Sequence, residues 1–140
     1  MRKLLWLAVA LTSPLYAQDA PALFDQMRTA PLTPGQWSYL ANVGGSEARF
    51  GSAFAIRCDR IARRVTLMRI GPVTASAGAM AIGTDLAVHA LPLGGLLASN
   101  DPVLDAIAFS RGRFIVSGGG LGLVLPASPE AARSIEDCRT

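Results

Sequence analysis

The sequence predicts a mainly β (α+β) domain, an antiparallel sandwich or a partly open barrel that carries two short helices. Three observations lead to this class: short runs in which apolar and polar residues alternate, glycine-rich turns between them, and two late segments that begin with helix caps. Strand side chains repeat their direction every second residue, whereas helical side chains repeat every 3.6 residues. These two periods separate the strands from the helices along the chain.

Residues 1–17 have the pattern of a signal peptide. Arg2 and Lys3 precede the apolar run 4–11, which is too short to span a bilayer, and Ala17 ends a cleavage motif. Cleavage after Ala17 predicts a periplasmic or secreted protein with no membrane span in the mature chain. An uncleaved N-terminal anchor is the alternative.

The mature chain is predicted to contain an entry segment (18–34) and a single disulfide-linked β-rich domain (35–140). Within the entry segment, Ala22 to Thr29 either forms a short helix or stays loose. Cleavage removes two of the 13 basic residues, so 11 remain against ten acidic ones. This small charge excess gives no case for nucleic-acid binding, which would need a strong basic excess on one face, and about 120 residues suit one core.

Four strands are predicted in the first half of the domain, at 36–40, 47–50, 53–58 and 63–70. In the third of these, Phe54, Ile56 and Cys58 share one face by the period of two, while Arg57 points to the other. This alternation predicts that Cys58 faces the interior of the domain.

Two hairpins are predicted farther along the chain. The first pairs 77–84 with 85–91, and the second pairs 113–117 with 121–125 across the glycine turn 118–120. Residues 92–100, which are rich in Gly and Leu, are predicted to form a loop.

The two predicted helices each begin with a capping residue followed by proline. Asp101 precedes Pro102, and Ser128 precedes Pro129. Asp and Ser accept hydrogen bonds from the free N–H groups of the first turn, and proline at the first helical position loses no hydrogen bond. The first helix is expected to end near Ser110.

The chain contains two cysteines, Cys58 and Cys138, and an exported chain favours a disulfide between them. Ala131, Ile135 and Cys138 are spaced to share one face of the last helix, so the bridge would tie that helix to the strand that carries Cys58. Two separate thiols are the alternative. Two cysteines and one histidine do not supply a four-ligand zinc site, and neither metal nor cofactor is expected.

The sequence offers few candidates for catalysis. His89 is the single histidine and lies in an apolar strand pattern, which is typical of a half-buried or edge position. Asp101 is explained as a helix cap and Asp105 as an exposed residue of the same helix. The glycine run 118–122 lacks the following Lys-Ser/Thr of a phosphate loop. A hydrolase that uses Asp101 or His89 is therefore the least favoured function.

Arginines are the candidate binding residues. Guanidinium groups suit carboxylate and phosphate ligands, and Arg57, Arg64, Arg69, Arg111 and Arg113 are proposed as an anion-binding set. The alternative is a solvated face that keeps the domain soluble. No aromatic residues interleave with these arginines, so base stacking with single-stranded nucleic acid is not supported.

Several motifs of the chain resemble a family of small uncharacterised exported bacterial proteins. They are residues 34–39 (PGQWSY), 56–59 (IRCD), 64–67 (RVTL), 100–114 (NDPVLDAIAFSRGRF) and 135–139 (IEDCR). More distantly, Gly35-x-Trp37 before a cysteine-bearing strand is similar to the invasion-associated locus B family, and the pairing with a C-terminal cysteine is similar to a type VI secretion accessory family. The resemblance implies a β-sandwich in the periplasm. The further cysteines of the locus B pattern are absent here, and no site residue is carried over.

These observations favour a non-enzymatic exported protein that binds another protein or a small anion. An envelope protein is the expected partner; nucleic acid is not expected, and neither is a membrane span after signal cleavage. An inhibitor of a cell-wall hydrolase, similar to lysozyme inhibitors, is the alternative, because small disulfide-linked exported β domains often have this role. The sequence does not predict the oligomeric state.

Overall fold

The computed structural model describes residues 19–71 and 79–140, so the predicted signal peptide and the start of the predicted strand 77–84 lie outside the described residues. The described residues form three α-helices and nine β-strands. The helices are α1 (Asp19–Arg28), α2 (Pro102–Ala108) and α3 (Pro129–Asp137). The strands are β1 (Trp37–Asn42), β2 (Gly45–Phe50), β3 (Phe54–Asp59), β4 (Arg64–Arg69), β5 (Ala81–Gly83), β6 (Val88–Ala90), β7 (Leu96–Ala98), β8 (Arg113–Ser117) and β9 (Leu123–Pro126).

The strands form two antiparallel sheets rather than a closed barrel. Sheet 1 has the order β1-β2-β3-β4-β7, and sheet 2 has the order β6-β5-β8-β9. The predicted mainly β class with antiparallel sheets is confirmed. Every hydrogen-bonded pair is antiparallel, which allows short turns to join neighbouring strands.

The core lies between the inner faces of the two sheets and contains a group of aromatic rings. Phe50 and Phe54 of sheet 1 and Phe114 of sheet 2 are fully buried. The ring of Trp37 lies 5.4 Å from that of Phe50 and 6.2 Å from that of Phe114. Its Nε1–H donates a hydrogen bond of 2.8 Å to the carbonyl of Pro126, so Trp37 joins β1 to β9.

The prediction of a loop at 92–100 is wrong, because β7 adds a strand to sheet 1. Leu97 is buried and pairs with Val65 of β4, which supplies the backbone partners that this short segment needs. Gly95 precedes the strand at φ 66°, and a side chain there would overlap the carbonyl of Leu67. A three-residue strand after a glycine turn is too short to show a period of two, which explains the error.

Helix α1 is a third helix, in the entry segment for which the sequence left helix and loose chain as alternatives. Phe24 and Met27 are buried against Ile115 and Val124 on the outer face of sheet 2. Gly83 of β5 lies directly beneath the ring of Phe24. Helix α1 therefore covers the part of the outer face of sheet 2 that β5, β8 and β9 form, while Val88 and Ala90 of β6 stay exposed.

The two predicted C-terminal helices and their caps are confirmed. Asp101 accepts a hydrogen bond of 3.0 Å from the N–H of Val103, and Ser128 accepts one of 3.2 Å from the N–H of Ala131. Helix α2 ends at Ala108, two residues before the predicted end.

Helix α3 packs on the inner face of sheet 1 and is bonded to it. Cys58 and Cys138 form the predicted disulfide, with their Cα atoms 5.6 Å apart. One turn earlier, the buried hydroxyl of Ser134 donates to the carbonyl of Ile56 at 3.2 Å and lies 3.2 Å from the hydroxyl of Ser46. Both contacts fix the C-terminal segment against β2 and β3.

Candidate ligand-binding site

A groove of about 680 Å³ lies between the β5–β6 turn and α2. One wall comes from the turn and β6, and the other comes from α2 and the residues that follow it. The lining residues are Thr84, Asp85, Leu86, Ala87, His89, Pro102, Asp105, Ala106, Phe109, Ser110 and Arg111. The groove therefore combines apolar walls with charged side chains, which is common in sites for small organic ligands.

The β5–β6 turn is held in shape by its own hydrogen bonds. The N–H of Thr84 donates to the carbonyl of Ala87 at 2.9 Å, and the N–H of Leu86 donates to the hydroxyl of Thr84 at 3.4 Å. Leu86 stands at the tip, with 93% of its surface exposed. The turn differs from the predicted one at 83–85 because β5 and β6 have three residues each and leave four between them.

The opposite wall follows from the amphipathic pattern of α2. Val103, Leu104 and Ile107 are buried in the core, so Asp105 and the exposed Phe109 are directed away from it. Phe109, which caps the C-terminus of the helix, has 75% of its surface exposed. Ring surface of this size is available to a ligand with an apolar body.

Charged groups of both signs line the groove. Arg111 is the positively charged lining residue, Asp85 and Asp105 are the negatively charged ones, and the half-buried His89 also lines the groove. The carboxylate of Asp105 already lies 2.8 Å from the guanidinium of Arg139 at the C-terminus of the chain. This ion pair reduces the negative potential that Asp105 contributes to the groove.

A smaller pocket of about 180 Å³ shares Thr84, Asp85 and Arg111 with the groove. Its lining includes Arg28, Arg111 and Arg113, which come from α1, the α2–β8 loop and β8. Arg113 donates a hydrogen bond of 2.6 Å to the carbonyl of Ala30, which fixes its side chain beside the end of α1. Two of the proposed anion-binding arginines therefore meet here, with Arg28 as a third.

Two of the other proposed arginines have partners within the fold. Arg57 lies 2.8 Å from Glu47, the residue directly opposite it on β2. Burial would by itself raise the pKa of Glu47, but hydrogen bonds from Arg57 and Arg49 hold this pKa below its ordinary value. Arg69 donates to the carbonyl of Gly118 at 3.2 Å, and partial burial lowers its pKa.

The fifth proposed arginine, Arg64, lines a separate depression beside the C-terminus of the chain, together with Arg63 and Arg139. The structure thus distributes the five arginines over several places: Arg111 and Arg113 share a pocket, and Arg57, Arg64 and Arg69 lie elsewhere.

No protein-family model matches this chain. No curated protein and no solved structure is significantly similar to it. The resemblances noted from the sequence motifs therefore stay predictions.

Two further findings limit the kinds of site in the described part of the chain. Among residues 19–71 and 79–140, no group of three or more His, Cys, Asp or Glu side chains is placed to hold a metal ion. Within the same residues, no helix has both the length and the apolar character needed to cross a bilayer.

The apolar walls of the groove and the third arginine of the smaller pocket were not predicted from the sequence. Leu86 and Phe109 were assigned to a strand and to a helix end, where single apolar residues carry no functional signal. Arg28 lies in the segment whose structure the sequence left open. Arg139 had a signal that was not used: it follows a disulfide-bonded cysteine and so has a fixed backbone position.

Proposed function

We propose that this protein is a non-enzymatic exported binding module that takes a small organic anion in the groove between the β5–β6 turn and α2. The ligand class is a carboxylate with an apolar body. Arg111 would pair with the carboxylate, and the walls at Leu86 and Phe109 would contact the apolar body.

The observation that carries this proposal is that Arg111 lines both the apolar groove and the arginine pocket. A guanidinium group presents a planar fork of N–H donors that matches a carboxylate. Arg28 and Arg113 would add positive potential next to it. Burial of apolar ligand surface against the groove walls would contribute most of the affinity, and the arginine would fix the orientation.

Two features support a binding role over catalysis. Both cysteines are joined in the disulfide, so neither is available as a nucleophile. Asp101 is engaged as the cap of α2, which accounts for its carboxylate. The disulfide is compatible with a location outside the cytoplasm, and export to the periplasm or beyond is part of the proposal.

A titration with 4-phenylbutyrate tests the proposal, because this probe has one carboxylate and one apolar body. We expect saturable heat in calorimetry for the wild-type protein and about tenfold weaker binding for Arg111→Ser, which loses a charge-assisted hydrogen bond. Arg49→Ser is the matched control, since Arg49 is an exposed arginine whose guanidinium pairs with Glu47 on sheet 1. The neutral alcohol 4-phenylbutanol should bind more weakly than the acid. Equal affinity for the acid and the alcohol would contradict the role of Arg111. An equal loss of affinity in Arg111→Ser and Arg49→Ser would contradict it as well.

Inhibition of a cell-wall hydrolase is a second candidate, and the projecting, hydrogen-bonded β5–β6 turn favours it. A short turn with a fully projecting Leu86 has the shape of a segment that enters an enzyme cleft. In a lysozyme assay, we expect the wild-type protein to lower the rate and Leu86→Asp to restore it. An unchanged rate at a large excess of the wild-type protein would remove inhibition of lysozyme from consideration.

A further inference from the structure

A second basic site lies away from the groove walls, where the C-terminus of the chain meets the edge of sheet 1. It is an open depression of about 510 Å³. Its lining residues are Ala62, Arg63, Arg64, Ala98, Ser99, Asn100 and Arg139. Three arginines from two parts of the chain, residues 63–64 and residue 139, therefore line the depression, and no carboxylate is among the lining residues.

The side chain of Arg139 is held in place at one side of this depression. Its Nε–H donates to the carbonyl of Ser99 at 2.9 Å, and its Nη1 lies 2.8 Å from Asp105 and 3.0 Å from Glu136. The preceding residue, Cys138, is fixed by the disulfide. Since Nε and Nη1 are engaged, Nη2 is the nitrogen of this guanidinium that is left to receive a ligand.

Arg63 has a backbone conformation that glycine would adopt more easily. Among the described non-glycine residues it is the one with positive φ, at 51°. It is the last residue of the β3–β4 turn, whose start is closed by a hydrogen bond of 3.0 Å from the N–H of Ala62 to Asp59. A left-handed residue at the end of such a turn is usually glycine or asparagine. An arginine here costs backbone stability, and residues of this kind often serve function.

We propose that the Arg63–Arg64–Arg139 depression binds a phosphate monoester. The doubly charged, tetrahedral phosphate presents three oxygens, and guanidinium groups that approach from different sides can each donate to one of them. Asn100 supplies an uncharged amide donor at the same rim. Two kinds of ligand carry such a phosphate group: a soluble phosphomonoester and the headgroup of a phosphatidic acid lipid. The depression shares no lining residue with the groove, and this proposal does not rest on the function proposed for the groove.

The test measures phosphate binding with phenyl phosphate in solution and with vesicles that contain phosphatidic acid in phosphatidylcholine. All measurements use the Arg111→Ser background, so that the groove pocket does not contribute. Arg63→Gly is the main variant, because it removes the guanidinium and relieves the backbone, and its melting temperature should be equal or higher. Arg49→Ser is the control for the loss of one positive charge from the same molecule.

We expect Arg63→Gly to weaken binding of phenyl phosphate about tenfold and Arg49→Ser to leave it unchanged. A further outcome is that the protein binds phosphatidic acid vesicles but not phenyl phosphate. If Arg63→Gly then weakens vesicle binding about tenfold, the site is supported and its ligand is the lipid headgroup. Equal weakening by Arg63→Gly and Arg49→Ser would show a general charge effect and overturn the proposal. Absence of binding both to phenyl phosphate and to phosphatidic acid vesicles would overturn it as well.

Discussion

The guanidinium group of Arg139 lies 2.8 Å from the carboxylate of Asp105, and this ion pair joins the chain's C-terminus to α2. Asp105 lines the groove, while Arg139 lines the arginine depression. The pair is thus a direct link between the two candidate sites. It is partly exposed, with 23% of the Arg139 side chain and 51% of the Asp105 side chain accessible.

We expect Asp105→Asn to lower the free energy of unfolding by less than about 1 kcal/mol, because water screens an exposed ion pair. Urea denaturation measures this change. Asp25→Asn, which removes the exposed pair with Arg28 on α1, is the matched control and should have an effect of the same size. A loss several times larger for Asp105→Asn would mean that the pair holds the C-terminus in place, and would contradict its assignment as a surface interaction.

The disulfide is expected to make a large contribution to stability. It closes a loop with a sequence separation of 80 residues. The chain-entropy model gives up to about 4–5 kcal/mol for such a loop. Cys58→Ala combined with Cys138→Ala should lower the urea midpoint accordingly, and the reduced wild-type protein should behave in the same way. An unchanged midpoint would show that the packing of α3 holds the C-terminal segment without the bond.

Docking of α1 on sheet 2 can be tested at a glycine. In Gly83→Ala the new Cβ would overlap the ring of Phe24, so α1 has to shift. Overpacking of this kind costs about 1–3 kcal/mol. Gly44→Ala is the control: its nearest neighbour, Oδ1 of Asn42, is 3.8 Å from the new Cβ, and we expect a change within about 0.5 kcal/mol. Thermal unfolding of both variants measures the two changes. Equal stability of Gly83→Ala and Gly44→Ala would mean that α1 does not pack on β5.

A polar cluster at the end of α3 predicts a dependence of stability on pH. The hydroxyl of Tyr39 donates to Asp137, and Cζ of Arg133 lies 4.2 Å above the centre of the Tyr39 ring. Burial would by itself raise the pKa of Asp137, but the Tyr39 hydrogen bond and the charges of Arg60 and Arg133 hold it below its ordinary value. Because the folded-state pKa is the lower one, the ionised carboxylate stabilises the fold.

This contribution is complete above the unfolded pKa of Asp137, near 3.8, and is lost as the pH falls through the lower folded-state value. We expect Tyr39→Phe to reduce the loss of unfolding free energy between about pH 6 and about pH 3, since it removes the largest interaction that lowers this pKa. Ser38→Ala, at an exposed hydroxyl on the same strand, should keep the wild-type pH dependence. Identical profiles for wild type and Tyr39→Phe would contradict the assignment.

The elements that the sequence predicted well are those whose signal is local. Phe54, Ile56 and Cys58 recur at every second position, so the strand and its inner face could be predicted from the period of two, although Ala55 between them is also buried. The helix caps at Asp101 and Ser128 could be predicted from the capping residue and the proline that follows it. Their hydrogen bonds reach only two or three positions along the chain. The disulfide followed from the count of two cysteines together with the predicted faces.

The strand that the sequence did not predict and the helix that it left open both depend on distant partners. β7 exists because β4 offers it backbone hydrogen bonds, and α1 rests on Ile115 and Val124, far along the chain. The groove also depends on contacts between distant segments, because Leu86 and Phe109 come to line it together only in the folded domain. The sequence positions of the arginines do not show which of them line the same pocket. Arg28 lines the pocket of Arg111 and Arg113 because of where α1 packs.

Backbone NMR spectra recorded during a titration with 4-phenylbutyrate test the central claim, that the groove is the binding site, most directly. We predict that amide shifts concentrate in the β5–β6 turn, at residues 84–87, and at the end of α2, at residues 105–111, and that Arg111→Ser removes them. Shifts that are spread evenly over the molecule, or that lie on the outer face of sheet 1 around Glu47, would contradict the account.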